Sequence, residues 1–301
     1  MEKTQAPPGS PTIGFVGLGH MGGAMAGRFL AAGHSVWGTN RTRHRAQPLI
    51  SAGLQWRGTA RTVAQSVDVL FTSVPDDEAL EAVASGPDGV LAGLTPGTIW
   101  LDTSTVSPEA SRALAARVTA GGAAFLDAPV SGSVPQVQAG TLTVMVGGDQ
   151  NAYLRAEPVL RELGSPTHVG GNGEGLALKL AINISLAVQM LAFSEGLLLA
   201  QESGVDVQLA LHVMTESPIA SPMLKARAPL VLDLPQDAWF GMGLLRKDIE
   251  LALDEAGRLG IPLPTAVRAE GILKTARSLG YDRCDIAAFY QVLERMTALP
   301  V

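Results

Sequence analysis

The sequence predicts an α/β doubly wound domain followed by an all-α domain built around one long helix. Between residues 12 and 168, short apolar runs alternate with amphipathic stretches, a pattern typical of βαβ units around a largely parallel sheet. Residues 175–203 contain no proline and no β-branched run, and they are apolar on nearly every face of a helix. A length of 301 residues is also enough for two domains.

The apolar runs that we expect to form strands lie at 12–16, 35–39, 68–74, 98–101, 124–126 and 142–146. After the long helix, further helices are expected over 207–216, 243–259, 265–279 and 284–296. The polar, proline-rich residues 1–11 are expected to be a disordered lead-in. These patterns place the α/β domain at 12–170 and the all-α domain at 171–301.

A glycine-rich turn follows the first predicted strand and opens a helix, so the first domain is predicted to be a Rossmann-type, dinucleotide-binding domain. Gly17 permits the tight turn, Gly19 lets the backbone approach a pyrophosphate, and Gly22 lets the helix pack against the strand. A glycine-rich turn without a ligand is the alternative. The predicted cofactor contacts here are Gly17, Leu18, Gly19, His20, Met21 and Gly22.

The end of the second predicted strand indicates which dinucleotide binds. NAD-binding sites usually place an acidic residue there for the ribose 2′-hydroxyl, but this chain has Asn40, with Arg41, Thr42 and two further arginines behind it. A neutral side chain beside a guanidinium suits a 2′-phosphate, so we expect NADPH to be preferred over NADH. The alternative is that the arginines only form the solvated start of a helix, and we assign Arg41 to the phosphate.

Composition narrows the function classes. A formal net charge of −6 provides no broad basic surface for nucleic acid. The single cysteine, Cys284, fits a reducing cytoplasm. The sequence contains no uninterrupted run of 18 apolar residues, so no membrane span is expected. The five histidines are scattered, so no metal site is expected.

Lys179 is the most informative charged residue, because it is one of only five lysines and lies in the most apolar helix. Asn183 is four residues further on, so both side chains lie on one helical face. Together they predict a polar pocket, in which the lysine donates a proton to the alkoxide formed by hydride addition to a carbonyl. The alternative is a lysine near the helix start that reaches into water.

Small and polar residues follow several predicted strands, where ligands of α/β sheets bind. Val74 ends the third predicted strand and Pro75 follows it, and Thr105 follows the fourth. Ser131, Gly132 and Ser133 follow the fifth, and their hydroxyl and backbone N–H groups can hold a carboxylate. An ordinary Ser/Gly turn is the alternative for this last segment.

Four blocks of the chain resemble the β-hydroxyacid dehydrogenases of the 6-phosphogluconate dehydrogenase-like superfamily. They are residues 17–22, 127–132, 173–183 and 247–252, in the order and spacing of that family. Among its members, the NADPH-dependent glyoxylate/succinic semialdehyde reductases are most similar. They share residues 40–42, 129–133, 172–173 and 221–223, a lysine at 225, and Phe240 eight residues before Asp248.

The resemblance implies a role for each matching residue. Lys179 corresponds to the general acid/base and Asn183 to a residue that orients substrate. Ser131 and Gly132 correspond to the substrate-carboxylate site, and Thr105 lies beside the nicotinamide. Phe240, Lys247 and Asp248 correspond to residues that close over cofactor and substrate. Ser133 replaces the glycine of many family members, a difference that can bias the choice of substrate.

These observations together predict an NADPH-dependent reductase of a small carboxylate-bearing aldehyde or keto acid, such as glyoxylate, succinic semialdehyde or a 3-hydroxyacid partner. An imine reductase of related fold and a non-catalytic NADP-binding module are the alternatives. The long apolar helix, together with the resemblance, predicts a homodimer that is disrupted by a charge at Leu191.

Overall fold

The computed structural model describes residues 10–297. The chain divides into two compact units, one ending at Lys179 and the other beginning at Leu180. The predicted lead-in over residues 1–11 lies mainly outside the described residues. The first unit is α/β and the second is helical, so the predicted fold class is confirmed.

One nine-stranded sheet forms the centre of the first unit. Its strands are β1 (Ile13–Val16), β2 (Val36–Thr39), β3 (Gln55–Trp56), β4 (Val69–Thr72), β5 (Ile99–Asp102), β6 (Ala124–Asp127), β7 (Val130–Ser131), β8 (Leu142–Gly148) and β9 (Gly164–Gly170). The order is β3-β2-β1-β4-β5-β6-β8-β7, and β9 pairs with β8. The six strands from β3 to β6 are parallel, whereas β8 runs antiparallel to β6 and β7. The short strands β3 and β7 and the polar strand β9 lie outside the predicted runs.

Helices cover both faces of this sheet. Neighbouring residues of one strand enter different hydrophobic clusters: Phe71 packs with Phe15 on one face, while Leu70 packs with Trp100 on the other. Such two-sided burial explains why the parallel strands are continuous apolar runs. The helices are α1 (His20–Ala31), α2 (Gln47–Ala52), α3 (Ala60–Ala64), α4 (Asp77–Ala84), α5 (Pro108–Ala120), α6 (Val134–Ala139) and α7 (Gln150–Arg161).

The long helix α8 (Glu174–Glu202) begins in the first unit and continues into the second. Five more helices complete the second unit: α9 (Val207–Glu216), α10 (Pro222–Leu232), α11 (Met242–Leu259), α12 (Pro264–Ser278) and α13 (Phe289–Thr297). The prediction of one helix over 284–296 was wrong at its start. The Asp285 carboxylate accepts the Ala287 N–H at 3.1 Å and caps a separate 3₁₀ turn over Ile286–Ala288, so α13 begins only at Phe289.

The surface of α8 is divided into two faces. Its buried face packs in the core of the helical unit through Ala187, Met190, Phe193 and Leu197. An exposed stripe recurs every three or four residues along the opposite face and includes Ala181, Ser185, Gln189, Ala192, Glu195 and Leu199. By length and composition this helix could also cross a membrane, a test that core helices of soluble proteins pass as well. Within its own chain, α8 is therefore covered on one face rather than all round.

Candidate active site

The glycine-rich turn between β1 and α1 has the geometry that a pyrophosphate requires. Gly17 has a φ of +95°, and a Cβ atom there would lie 2.3 Å from the carbonyl oxygen of Ser73. A Cβ on Gly22 would lie 2.2 Å from the Gly17 carbonyl oxygen, so this glycine lets α1 approach the turn. A Cβ on Gly19 would meet no atom within 4 Å.

The open position at Gly19 coincides with the N-terminus of a 12-residue helix. No side chain caps α1, and its first turn holds no acidic residue. Free N–H groups at a helix N-terminus, together with the helix dipole, favour a phosphate. The residues of this turn therefore fit the pyrophosphate of a dinucleotide, with His20 and Met21 in the first turn of α1.

Asn40 connects this turn to the end of β2. Its Oδ1 accepts the Leu18 N–H at 3.1 Å, and its Nδ2 donates to the Thr42 carbonyl oxygen at 3.1 Å. An aspartate in this place would keep the acceptor but oppose a carboxylate oxygen to the Thr42 carbonyl. Arg41 lies between Asn40 and Thr42 in the sequence, and its side chain is exposed. The Arg43 guanidinium, in contrast, lies 5.5 Å from the ring centre of Trp56. The exposed Arg41 side chain is therefore available for a phosphate.

A buried hydrogen-bond network holds the loops that follow β4 and β5. Asp102 Oδ1, at the end of β5, accepts from Thr72 Oγ1 at 2.7 Å and from Ser104 Oγ at 2.6 Å. Ser104 Oγ in turn accepts the Val74 N–H at 2.9 Å. Since Val74 precedes Pro75, and Ser104 precedes the half-buried Thr105, one carboxylate fixes the two loops that carry three predicted cofactor contacts.

The Asp102 carboxyl group is fully buried, and its Oδ2 has no hydrogen-bond partner among residues 10–297. Burial raises the pKa of Asp102 from 3.8 to about 6, although hydrogen bonds from Ser104 and Thr72 oppose this rise. Asp127 lies opposite Asp102 in the β5–β6 register, and the repulsion between the two carboxylates also raises the pKa of Asp102. Burial also raises the pKa of Asp127.

The predicted carboxylate-binding segment begins in β7. Ser131 pairs with Thr143 of β8, and Gly132 has a φ of +127°. A Cβ on Gly132 would lie 2.7 Å from a Leu142 methyl group, so both conformation and space require glycine. The Ser133 N–H donates to Gln136 Oε1 at 2.9 Å. The Ser133 N–H is therefore already used within the protein. The groups that can donate to a carboxylate are the Ser131 and Ser133 hydroxyls and the Gly132 N–H.

Asp127 ties the end of β6 to the start of α8. Its Oδ1 accepts the Gly173 N–H at 2.8 Å, and its Oδ2 accepts the Leu176 N–H at 3.2 Å. A carboxylate on the first amides of a helix also complements the helix dipole. Ser131 follows Asp127 by four residues and the half-buried Lys179 follows Leu176 by three, so this side chain links the two segments that carry them.

In the helical unit, Asn183 joins a second polar cluster. Asn183 is fully buried, and its Nδ2 donates to Asp248 Oδ2 at 2.6 Å. Lys247 Nζ lies 2.8 Å from Asp248 Oδ1, an ion pair by distance rather than an aligned hydrogen bond. Asn183 Oδ1 has no partner within the described chain and is available to accept a hydrogen bond from a ligand.

Phe240 lies just before α11 and is half-buried. Its N–H donates to Asp285 Oδ2 at 3.0 Å, and its carbonyl oxygen accepts the Ile286 N–H at 3.1 Å.

In residues 10–297, no group of three or more His, Cys, Asp or Glu side chains is arranged to hold a metal ion.

The predicted residues therefore lie in separate groups: the glycine-rich turn, the end of β2, the loops after β4 and β5, the β7 segment and the first turns of α8 in the first unit, and the Asn183–Asp248 cluster with Phe240 in the helical unit. The sequence analysis assigned no role to the carboxylates that hold these parts, namely Asp102, Asp127 and Asp285. The position of Asp102 and Asp127 at strand ends was the available signal, whereas nothing local pointed to Asp285.

Comparison with known proteins covers nearly the whole chain. Residues 12–171 match the family model of the NAD binding domain of 6-phosphogluconate dehydrogenase. Residues 173–293 match the model described as NAD-binding of NADP-dependent 3-hydroxyisobutyrate dehydrogenase. The two models meet near the start of α8.

Individual proteins that are similar to this chain carry names of the same kind as these two models. Glyoxylate/succinic semialdehyde reductase 2 of Arabidopsis thaliana is 32% identical over 97% of this chain and 82% of its own length. The 2-hydroxy-3-oxopropionate reductase of Escherichia coli is 34% identical over 94% of this chain and 97% of its own. The solved structure of Psf3 in complex with NADP+ and 2-OPP is 28% identical, with a TM-score of 0.86 over 94% of this chain and 100% of that one. The chain therefore belongs to the β-hydroxyacid dehydrogenase family and is an oxidoreductase that uses a nicotinamide cofactor.

Proposed function

We propose that the protein is an NADPH-dependent reductase of a small aldehyde or keto acid that carries a carboxylate, of the glyoxylate or semialdehyde type. The anchoring of Lys179 is the observation that carries this proposal. Asp127 accepts the Gly173 N–H just before α8 and the Leu176 N–H in its first turn, and Lys179 lies on the next turn of the helix. A lysine held in this way is suited to act on one defined atom of a substrate.

When bound, the reduced nicotinamide supplies the hydride. Lys179 donates a proton to the carbonyl oxygen as negative charge develops on it, and its own positive charge stabilises that oxygen. Ser131, Gly132 and Ser133 bind the substrate carboxylate and so fix its distance from the reacting carbon. Asn183 accepts or donates one hydrogen bond that orients the substrate, and Phe240 and Asp248 complete the substrate contacts.

The preference for NADPH is proposed on the geometry at the end of β2. Asn40 uses its carboxamide within the protein, and the exposed Arg41 presents a planar fork of donors that suits a 2′-phosphate. Thr42 adds a hydroxyl, and Lys247 adds a positive charge for the cofactor phosphates or the substrate carboxylate.

A lysine exchange tests the reaction. Lys179→Met keeps the aliphatic stem, and we expect turnover with glyoxylate or succinic semialdehyde to fall by roughly 10²–10⁴-fold while NADPH binds normally. Lys274→Met is the matched control, because Lys274 is an exposed lysine that pairs with Glu270 on α12. Near-native turnover of Lys179→Met would remove this residue from the mechanism, and a gain with cyclic imines would favour imine reduction.

We also propose that the protein is a cytoplasmic homodimer. Within residues 10–297, ten of the twelve most exposed large apolar side chains lie in the helical unit, including Leu199 at 70% and Ile219 at 75% exposure. An exposed apolar surface of this kind marks an interaction site, and a two-fold copy of the same chain is the simplest cover. We expect a buried interface above about 2,000 Å². Leu191, the position expected to test this interface, is only 8% exposed and packs in the core of its own helical unit, so a charge there would disturb folding as well as assembly.

A further inference from the structure

Asp285, which accepts the Phe240 N–H, also forms a buried ion pair in the helical unit. Arg227 of α10 is 7% exposed, and its Nη1 donates to Oδ1 of Asp285, which is fully buried. Taking both charges out of water costs more than their attraction commonly returns, so a buried pair is weak support for stability by itself.

The second carboxylate oxygen holds a backbone segment. Asp285 Oδ2 accepts the N–H groups of Trp239 at 2.9 Å and Phe240 at 3.0 Å. The Ile286 N–H returns a hydrogen bond to the Phe240 carbonyl oxygen, so this residue is fixed on both sides of its backbone. The Arg227 guanidinium lies 5.9 Å from the ring centre of Trp239 and adds a cation–π contact.

We propose that Asp285 and Arg227 are positioning residues for Phe240 and thereby set the affinity for the organic substrate. The proposal rests on the substrate role of Phe240 proposed above. Arg227 and the Ala287 N–H fix Oδ1, so Oδ2 is presented in one place to the two amides that precede α11. When this carboxylate is altered, the backbone of Phe240 loses its anchor while the residues of the first unit are unchanged.

The test combines kinetics with a probe of the segment itself. We expect Asp285→Asn, which offers an NH₂ group in place of one oxygen, to raise KM for the aldehyde about tenfold. The kcat should change less than about twofold, and Kd for NADPH should stay the same. Arg227→Lys, which keeps the charge but loses the planar fork, should show a smaller rise and serves if Asp285→Asn folds poorly.

A double-mutant cycle with Phe240→Ala separates positioning from a general loss of stability. If Asp285 acts through Phe240, then Asp285→Asn adds little to KM once Phe240 is already alanine. Protein labelled with 5-fluorotryptophan should show a shifted ¹⁹F signal for Trp239 in Asp285→Asn, assigned with Trp239→Phe. The other three tryptophan signals should not move.

Three results would overturn the proposal. Fully additive effects of Asp285→Asn and Phe240→Ala would show that Asp285 does not act through Phe240. A shifted Trp239 signal with unchanged KM would show that the position of this segment does not control affinity. An unchanged KM in Phe240→Ala alone would refute the substrate role of Phe240, and it would do so without touching the proton-donor role of Lys179.

Discussion

The substitution Asp102→Asn should change how the stability of the first unit depends on pH. Burial raises the pKa of Asp102 from 3.8 to about 6, so between these values the native state retains a proton that the unfolded chain has released. The contribution of Asp102 to the free energy of unfolding is therefore fully present below about pH 3.8 and is lost as pH rises through about 6. At about 1.4 kcal/mol per pKa unit, the full loss is about 3 kcal/mol.

Asparagine does not titrate, and its NH₂ group can occupy the place of Oδ2, which has no partner in the described part of the chain. We expect the variant and the natural protein to be similarly stable near pH 4. At pH 7.5 the variant should be more stable by up to about 3 kcal/mol. Part of the gain belongs to Asp127, because Asp102→Asn also removes the repulsion between the two carboxylates.

The assay is urea unfolding at pH 4 and pH 7.5, followed by tryptophan fluorescence. A Trp239→Phe background leaves Trp37, Trp56 and Trp100, all in the first unit, so the signal reports that unit alone. Asp88→Asn, which makes the same exchange at an exposed carboxyl group, is the control. Equal pH dependence in Asp102→Asn and the natural protein would refute the reasoning.

Three further changes test other parts of the site. Arg41→Glu should weaken NADPH binding by about 2 kcal/mol or more and leave NADH much less affected, with Arg45→Glu as the matched control, and titration with both cofactors checks this. Equal losses for the two cofactors would contradict it. Asp127→Ala removes the acceptor of the Gly173 N–H, just before α8, and of the Leu176 N–H within it. The change should cost about 2 kcal/mol or more in thermal unfolding and lower kcat, so unchanged melting and turnover would speak against it. Leu199→Glu should reduce the mass seen by light scattering, whereas Leu154→Glu, on the first unit, should not, and equal masses for both would argue against the helical interface.

The parallel strands and the glycine turn could be predicted because their signals are local. Runs such as 69–72 are buried on both faces, and the spacing of Gly17, Gly19 and Gly22 is local, although the contact that requires Gly17 is with Ser73 in the loop after β4. The two-residue strand β3 and the polar strand β9 gave no such pattern. The helix α10 was not predicted. It contains Pro222 and Pro229, but Pro222 occupies the first helical turn, where proline is tolerated, and Ser221 caps it.

The candidate ligand contacts could be predicted from the sequence more readily than the groups that hold them. Lys179 stood out because a lysine is unusual in an apolar helix. Asp285 makes its contacts with residues 45 and 58 positions away, so no sequence pattern connects it to Phe240 or Arg227. The exposed stripe on α8 was likewise invisible, because an apolar composition does not say which face the rest of the chain covers.

The single cysteine gives direct experimental access to one of these anchors. Cys284 is half-buried, immediately precedes Asp285, and accepts the Met242 N–H through its carbonyl oxygen at 2.9 Å. A spin label or fluorophore attached to this thiol would sit on the turn that fixes Phe240, with no competing cysteine elsewhere in the chain. Time-resolved spectroscopy on the natural sequence can therefore follow this turn during a catalytic cycle, without first building a cysteine-free protein.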